Sequence, residues 1–150
     1  KVGFIYDAKT YAKLGEFTYN TEGWGLTTDG SQLIMSDGSD NIYFIDTTTF
    51  KVTRSVRVTE NGMGVKAINE LEYINGYIYG NIWQTAVIVK INPATGEVTG
   101  RLDLSAIAND IARTYPSADV LNGIAYDKKA NALLVTGKYW PKSYLIRLKK

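Results

Sequence analysis

The chain repeats itself. Asp29-Gly30 returns as Asn75-Gly76, and Ile45-Asp46 ahead of the TTTF segment returns as Ile91-Asn92 ahead of PATG, an offset of about 46 residues in both cases. Between these marks run short β-branched and aromatic stretches broken by Asp-Gly, Asn-Gly and Thr-Gly turns, and helical periodicity is nearly absent. A strand-rich unit of that length cannot bury a face alone. It matches a four-stranded propeller blade, so the expectation is an all-β chain of four-stranded antiparallel blades stacked around an axis.

A third copy runs from Leu121 to Leu148, with Ile146 in the place of Ile45 and Ile91. The expected units are a partial blade over 1–19, a blade over 20–66, a blade over 67–120, and a partial last blade over 121–150. The third unit carries one helical insertion near 105–113, with Ser105 as its N-cap and its end near Pro116. About three blades fall short of the four to eight of a closed ring, which points to missing N-terminal blades or to self-association. A sandwich of similar hairpins is the competing architecture.

The chain has neither cysteine nor histidine. That excludes disulfides, Cys/His zinc sites and imidazole-dependent nucleophiles, leaving Asp, Glu, Lys and Tyr for proton transfer. A net charge of +2, from 17 basic and 15 acidic residues without a basic block, gives no case for nucleic acid. No apolar run approaches a membrane span.

Architecture asks for the same residue type at equivalent places in each blade, so divergent polar and aromatic positions are the functional candidates. Eight residues before the shared Ile stand Asp37, Trp83 and Lys138. At the start of the first strand stand Trp24, Glu70 and Gly123, preceded by Gly23, Asn69 and Asn122. Side chains at one register of successive blades lie at one height around the axis and can share a pocket. Each has a structural alternative: blade packing for the tryptophans, a turn aspartate for Asp37, and a solvated face for Glu70, Glu72 and Lys138.

At these residues the chain resembles the glutamine cyclotransferases, the plant and bacterial type of glutaminyl-peptide cyclotransferase. The matching segments are EGWGLTTDG (22–30), MSDGS (35–39), NELEY (69–73), NIWQT (81–85), DVLNGIAYD (119–127) and TGKYWPK (136–142). The resemblance implies a five-bladed propeller that converts an N-terminal glutamine to pyroglutamate with loss of ammonia, without metal or other cofactor, in a periplasmic or secreted setting. It places Trp24, Asn69, Trp83 and Lys138 around the central pocket, with Glu70 beside them. Two departures stand out: Ala86 replaces the acid usual after the Trp-Gln-Thr segment, and the family's catalytic glutamate belongs to a blade upstream of the matched segments.

On this reading the partner is a peptide beginning with glutamine. Glu70 and Lys138 are the catalytic candidates, and Trp24, Asp37, Asn69, Trp83 and Asn122 the substrate-binding ones. A propeller module that binds a peptide or small ligand without chemistry is the alternative.

Overall fold

The computed structural model describes residues 1–147. Leu148, the last residue of the third repeat copy, lies outside them. Strands β1 (Val2–Tyr6) and β2 (Lys13–Thr18) form an antiparallel pair. A four-stranded meander follows: β3 (Leu26–Thr28), β4 (Gln32–Ser36), β5 (Asn41–Asp46) and β6 (Val52–Arg57). A short ribbon of β7 (Thr59–Glu60) and β8 (Met63–Gly64) leads to a second meander of β9 (Ile68–Ile74), β10 (Tyr77–Ile82), β11 (Val87–Ile91) and β12 (Val98–Asp103). After helix α1 (Ser105–Thr114), β13 (Leu121–Asp127), β14 (Ala132–Gly137) and β15 (Tyr144–Ile146) make a three-stranded sheet.

The sheets stack with their first strands side by side. Tyr73 N donates to Thr27 Oγ1 at 3.2 Å, joining β9 to β3, and Tyr126 N donates to Glu72 Oε1 at 3.0 Å, joining β13 to β9. The all-β expectation therefore holds, with β3, β9 and β13 innermost as in propeller blades. The apolar faces are buried between sheets rather than in one central core. Ile34, Phe44, Ile68, Leu71, Ile78 and Val89 fill the space between the two meanders, and Ile74, Ile88, Leu121, Ile124, Leu133 and Val135 fill the next. Each fully buried aliphatic side chain contributes about 1.5–3 kcal/mol.

A second repeated device sets the outer hairpins. Asp46 Oδ1 accepts hydrogen bonds from Thr48 N, Thr49 N and Thr49 Oγ1, and Phe50 closes the turn at φ 53°. Asp7 does the same with Lys9, Thr10 and Tyr11 (φ 58°). Asn92 keeps the bond to Ala94 N, with Gly96 at φ 76°. The β1–β2 turn thus matches the turns that join the outer strand pairs of both meanders.

The helix lies where expected, with one correction. Leu104 is its N-cap and Ser105 its first helical residue; Ser105 N is bound by Asp103 Oδ1 at 2.8 Å, so a side chain two positions earlier satisfies that N–H. Leu104 and the partly buried Ile107 fasten the start of α1 to the second core, and Ile111 is buried further along the helix.

Candidate active site

One irregularity recurs at the same end of all three sheets. Leu26 pairs with Met35, Leu71 with Gly80, and Ile124 with Val135. One step further, two residues of the inner strand face a single residue of the next. Asn69 and Glu70 stand opposite Asn81 before pairing resumes at Ile68 and Ile82; Asn122 and Gly123 stand opposite Thr136 before it resumes at Leu121 and Gly137. Beside β3, Trp24 N donates to Ser36 O and Ser36 N donates to Gly25 O, both at 3.0 Å, so Trp24 and Gly25 share Ser36 in the same way. Such a bulge bends the strand and re-aims its side chains.

The strand pairing corrects the register read from the sequence. By ladder position Trp24 is equivalent to Asn69 and Asn122, not to Glu70 and Gly123. Asp37 is equivalent to Ile82 and Gly137, one step before Trp83 and Lys138. The repeat offset counted from turns is one residue too long in the first copy because turns, not ladders, carried the alignment.

Trp24 and Trp83 meet edge to face, with ring centroids 5.5 Å apart at 80°. Gly38 lies under the Trp24 indole, where any Cβ would collide with the ring. Trp24 Nε1 donates to Glu22 Oε2 at 2.9 Å. Ala67 N donates to Gly38 O at 2.9 Å and Trp83 N to Ala67 O at 2.8 Å, a backbone chain that ties the two indoles' loops together. Trp83 remains 36% exposed, so the pair has a free apolar face.

Between the tryptophans' sheets, Ser36 Oγ accepts from Gly25 N at 2.9 Å and donates to Asn69 O at 2.6 Å. Gly25 permits this approach, since a Cβ there would strike the Asn69 carbonyl. Asn69 and Glu70 are half-buried, and Glu70 Oε1 accepts from Leu71 N at 3.2 Å. Lys138 holds the corresponding loop of the third sheet, its N–H donating to Val120 O at 2.9 Å while its side chain is exposed.

Asp37 sits at this end of its sheet but turns inward on its own loop. Its Oδ1 accepts from Ser39 N and Oγ at 3.0 and 2.6 Å, and its Oδ2 accepts from Tyr43 OH at 3.0 Å. Burial, then the Asp37 carboxylate, raises the Tyr43 phenol above its ordinary pKa. Both Asp37 oxygens are thereby engaged in holding the β4–β5 loop, which is the turn role that competed with the binding one. Trp140 in the TGKYWPK segment is likewise structural, donating from Nε1 to Asp119 O at 2.7 Å and meeting Tyr144 edge-on.

Trp24, Asn69, Glu70, Trp83, Asn122 and Lys138 therefore lie at one end of the inner strands, on an open wall. Two clefts of about 440 and 400 Å³ lie elsewhere between sheets, one beside Tyr79 and Tyr126 and one beside Tyr43 and Phe50, and neither is lined by these six. Sequence reasoning missed Glu22, Ser36 and Asn81. The last two carried a signal: a single polar residue inside an apolar strand run, LIMS and YIYGNI, at the point where each strand meets the site.

Stacked antiparallel sheets with indoles, amides, a carboxylate and an amine at one end of their innermost strands define a β-propeller with its candidate site at one mouth of the axis. The glutamine cyclotransferase family model matches residues 1–148, and the chain belongs to that family. It is 43% identical over 150 residues to a glutaminyl-peptide cyclotransferase of Arabidopsis thaliana, the match covering 99% of this chain and 47% of that protein. The crystal structure of Myxococcus xanthus glutaminyl cyclase superposes with a TM-score of 0.85 at 39% identity, covering 92% of this chain and 60% of that one. The chain thus spans 47% and 60% of the lengths of these two proteins.

Proposed function

We propose that this chain forms the binding wall, and part of the reactive site, of a glutaminyl-peptide cyclotransferase that converts N-terminal glutamine to pyroglutamate and ammonia. The observation that carries the reading is the indole pair, Trp24 on Trp83, standing beside the Asn69 bulge in a chain of this family.

The chemistry joins the substrate's own α-amine to its own side-chain carboxamide carbon, forming a C–N bond and a five-membered lactam while the bond to the amide nitrogen breaks. Because the reacting groups are tethered, orientation does much of the work; well-oriented intramolecular reactions reach effective molarities of about 10⁵–10⁸ M. The half-exposed indoles wall the glutamine side chain and exclude water. In this reading Asn69 and Asn122 hold the carboxamide, and the Lys138 ammonium stabilises the oxygen as it gains negative charge. A proton must leave the attacking amine and reach the departing nitrogen. A carboxyl group that takes and returns it contributes about 10²–10⁴ in rate. The family resemblance assigns that task to an upstream glutamate, with Glu70, next to Asn69 in the second bulge, as this chain's own candidate. Asp37, engaged with Ser39 and Tyr43, supports the loop that seats Trp24.

Acting on peptides, the protein fits a periplasmic or secreted setting, in keeping with its family; no described helix is long and apolar enough to cross a membrane. The test is ammonia release and ring closure on a Gln-Ala peptide by the full-length protein. Neither product, at enzyme concentrations that saturate binding of the peptide, refutes the reading. A non-catalytic peptide-binding module is favoured at one point, position 86, where Ala86 stands in place of the family's acid and its carbonyl accepts from Leu104 N at the start of α1. Binding without turnover in the same assay would establish it.

A further inference from the structure

Asn81 is fully buried, 0% exposed, in a strand whose neighbouring buried residues are otherwise apolar or glycine. It stands opposite the Asn69–Glu70 bulge of its own sheet, yet its Oδ1 accepts from Gly123 N at 3.3 Å, in the bulge of the next sheet. Its Nδ2 has no partner among the described residues, and neither does the buried Oδ1 of Asn122, the other residue of that bulge. The unmatched Nδ2 weighs against stability, so the amide is there for its bond to Gly123 rather than for apolar packing. Such groups in a native interior call for an explanation.

The preceding boundary shows what it does. Ser36, opposite the first bulge, bonds Gly25 of that bulge and Asn69 of the next. The residue opposite each bulge thus fixes the following one: Ser36 sets Asn69, and Asn81 sets Asn122–Gly123. Gly123 suits this role, with φ at 150° and no room for a Cβ against Thr136.

We propose that Asn81 is a positioning residue of the site: from inside the wall it holds the third bulge against the second, and so places Asn122, and the sheet that carries Lys138, opposite Trp83. This rests on the proposed function only for its activity readout.

The test is made in the full-length protein with two substitutions. Asn81→Leu removes the cross-sheet bond without introducing a polar group; it should melt below the wild-type temperature, because Gly123 N loses its acceptor, and lose about tenfold or more in kcat/KM on a Gln-initiated peptide. Asn81→Ser places at 81 the hydroxyl used at 36, which can donate to the Asn122 carbonyl as Ser36 does to that of Asn69; it should melt lower but keep kcat/KM within about threefold of wild type. Wild-type kcat/KM in the Leu variant, or equal losses in both, overturns the proposal. A crystal structure of the Leu variant provides the readout independent of turnover. Displacement of residues 122–123 relative to Trp83 supports the proposal and superposition overturns it. If the wild-type protein releases no ammonia, the cyclotransferase reading fails while this structural comparison still decides the role of Asn81.

Discussion

Adding one methyl group at Gly25 should separate the first bulge from the second. A Cβ built there runs into the Asn69 carbonyl oxygen, and lies 2.8 Å from the carbonyl carbon and 2.9 Å from Ser36 Oγ, where ordinary contact begins at 3.4 Å. The obstacle is backbone, which no rotamer change can clear, so Gly25→Ala must move one strand past the other. Overpacking of this kind costs about 1–3 kcal/mol. Losing the Ser36–Asn69 hydrogen bond adds about 1 kcal/mol. A total near 3 kcal/mol lowers the melting temperature by about 6–12 °C for a protein of this size or somewhat larger. Gly15→Ala is the internal control. Its Cβ would meet only Ile5 Cδ1 at 3.7 Å, and the same chemical change in a strand should be neutral or slightly stabilising. Thermal unfolding followed by circular dichroism reads the stability, and near-ultraviolet ellipticity reads the Trp24–Trp83 pair. Should Gly25→Ala melt within about 2 °C of wild type with that ellipticity unchanged, the bulge-to-bulge contact does not hold the inner strands together.

Three further outcomes are expected. Trp83→Ala in the full-length protein should lose only about 0.5–1.5 kcal/mol for the edge-to-face contact beyond its partial burial, while kcat/KM falls about tenfold or more; an unchanged kcat/KM removes Trp83 from the site. Lys138→Met, at an exposed side chain, should leave stability within about 0.5 kcal/mol and lower kcat by about 10²–10³ if its ammonium faces the developing oxyanion; denaturant melts and steady-state rates separate the two. Asp29 has its pKa pulled down, since hydrogen bonds from Gln32 and Ser31 outweigh the opposing effect of burial. Its ionised form thus stabilises the fold above the unfolded carboxylate value of about 3.9, and that contribution is lost as pH falls through the lower folded value. Asp29→Asn should therefore melt lower than wild type at pH 7, with the gap narrowing below pH 4; a gap independent of pH contradicts the assignment.

The outer hairpin turns, the inner Asp-Gly and Asn-Gly turns, and the apolar runs that become the inter-sheet cores were all legible in the residues, because each depends on contacts within a few positions along the chain. Asp46 finds Thr48 and Thr49 wherever the segment lies, and the spacing from Ile45 to Ile91 follows from the need to complete four strands before the next sheet begins. The candidate positions were picked out along the chain as well: Trp24, Asn69, Trp83, Asn122 and Lys138 stand where the repeated pattern diverges. Their register was not legible. The β4–β5 loop, closed by Ser36 opposite Ile42, is one residue shorter than the β10–β11 loop, closed by Asn81 opposite Ile88, so Trp24 aligns by sequence with Glu70 and by hydrogen bonding with Asn69. The second partner of Asp37 was not legible either, since only the fold brings Tyr43 OH to its second oxygen. The contacts that join one sheet to the next, Ser36 to Asn69 and Asn81 to Gly123, span 33 and 42 residues. No local preference encodes such a pairing. It exists because packing Ile34, Ile68 and Ile78 into one buried layer brings strands of different repeats within hydrogen-bond reach, and that was settled only when the sheets stacked.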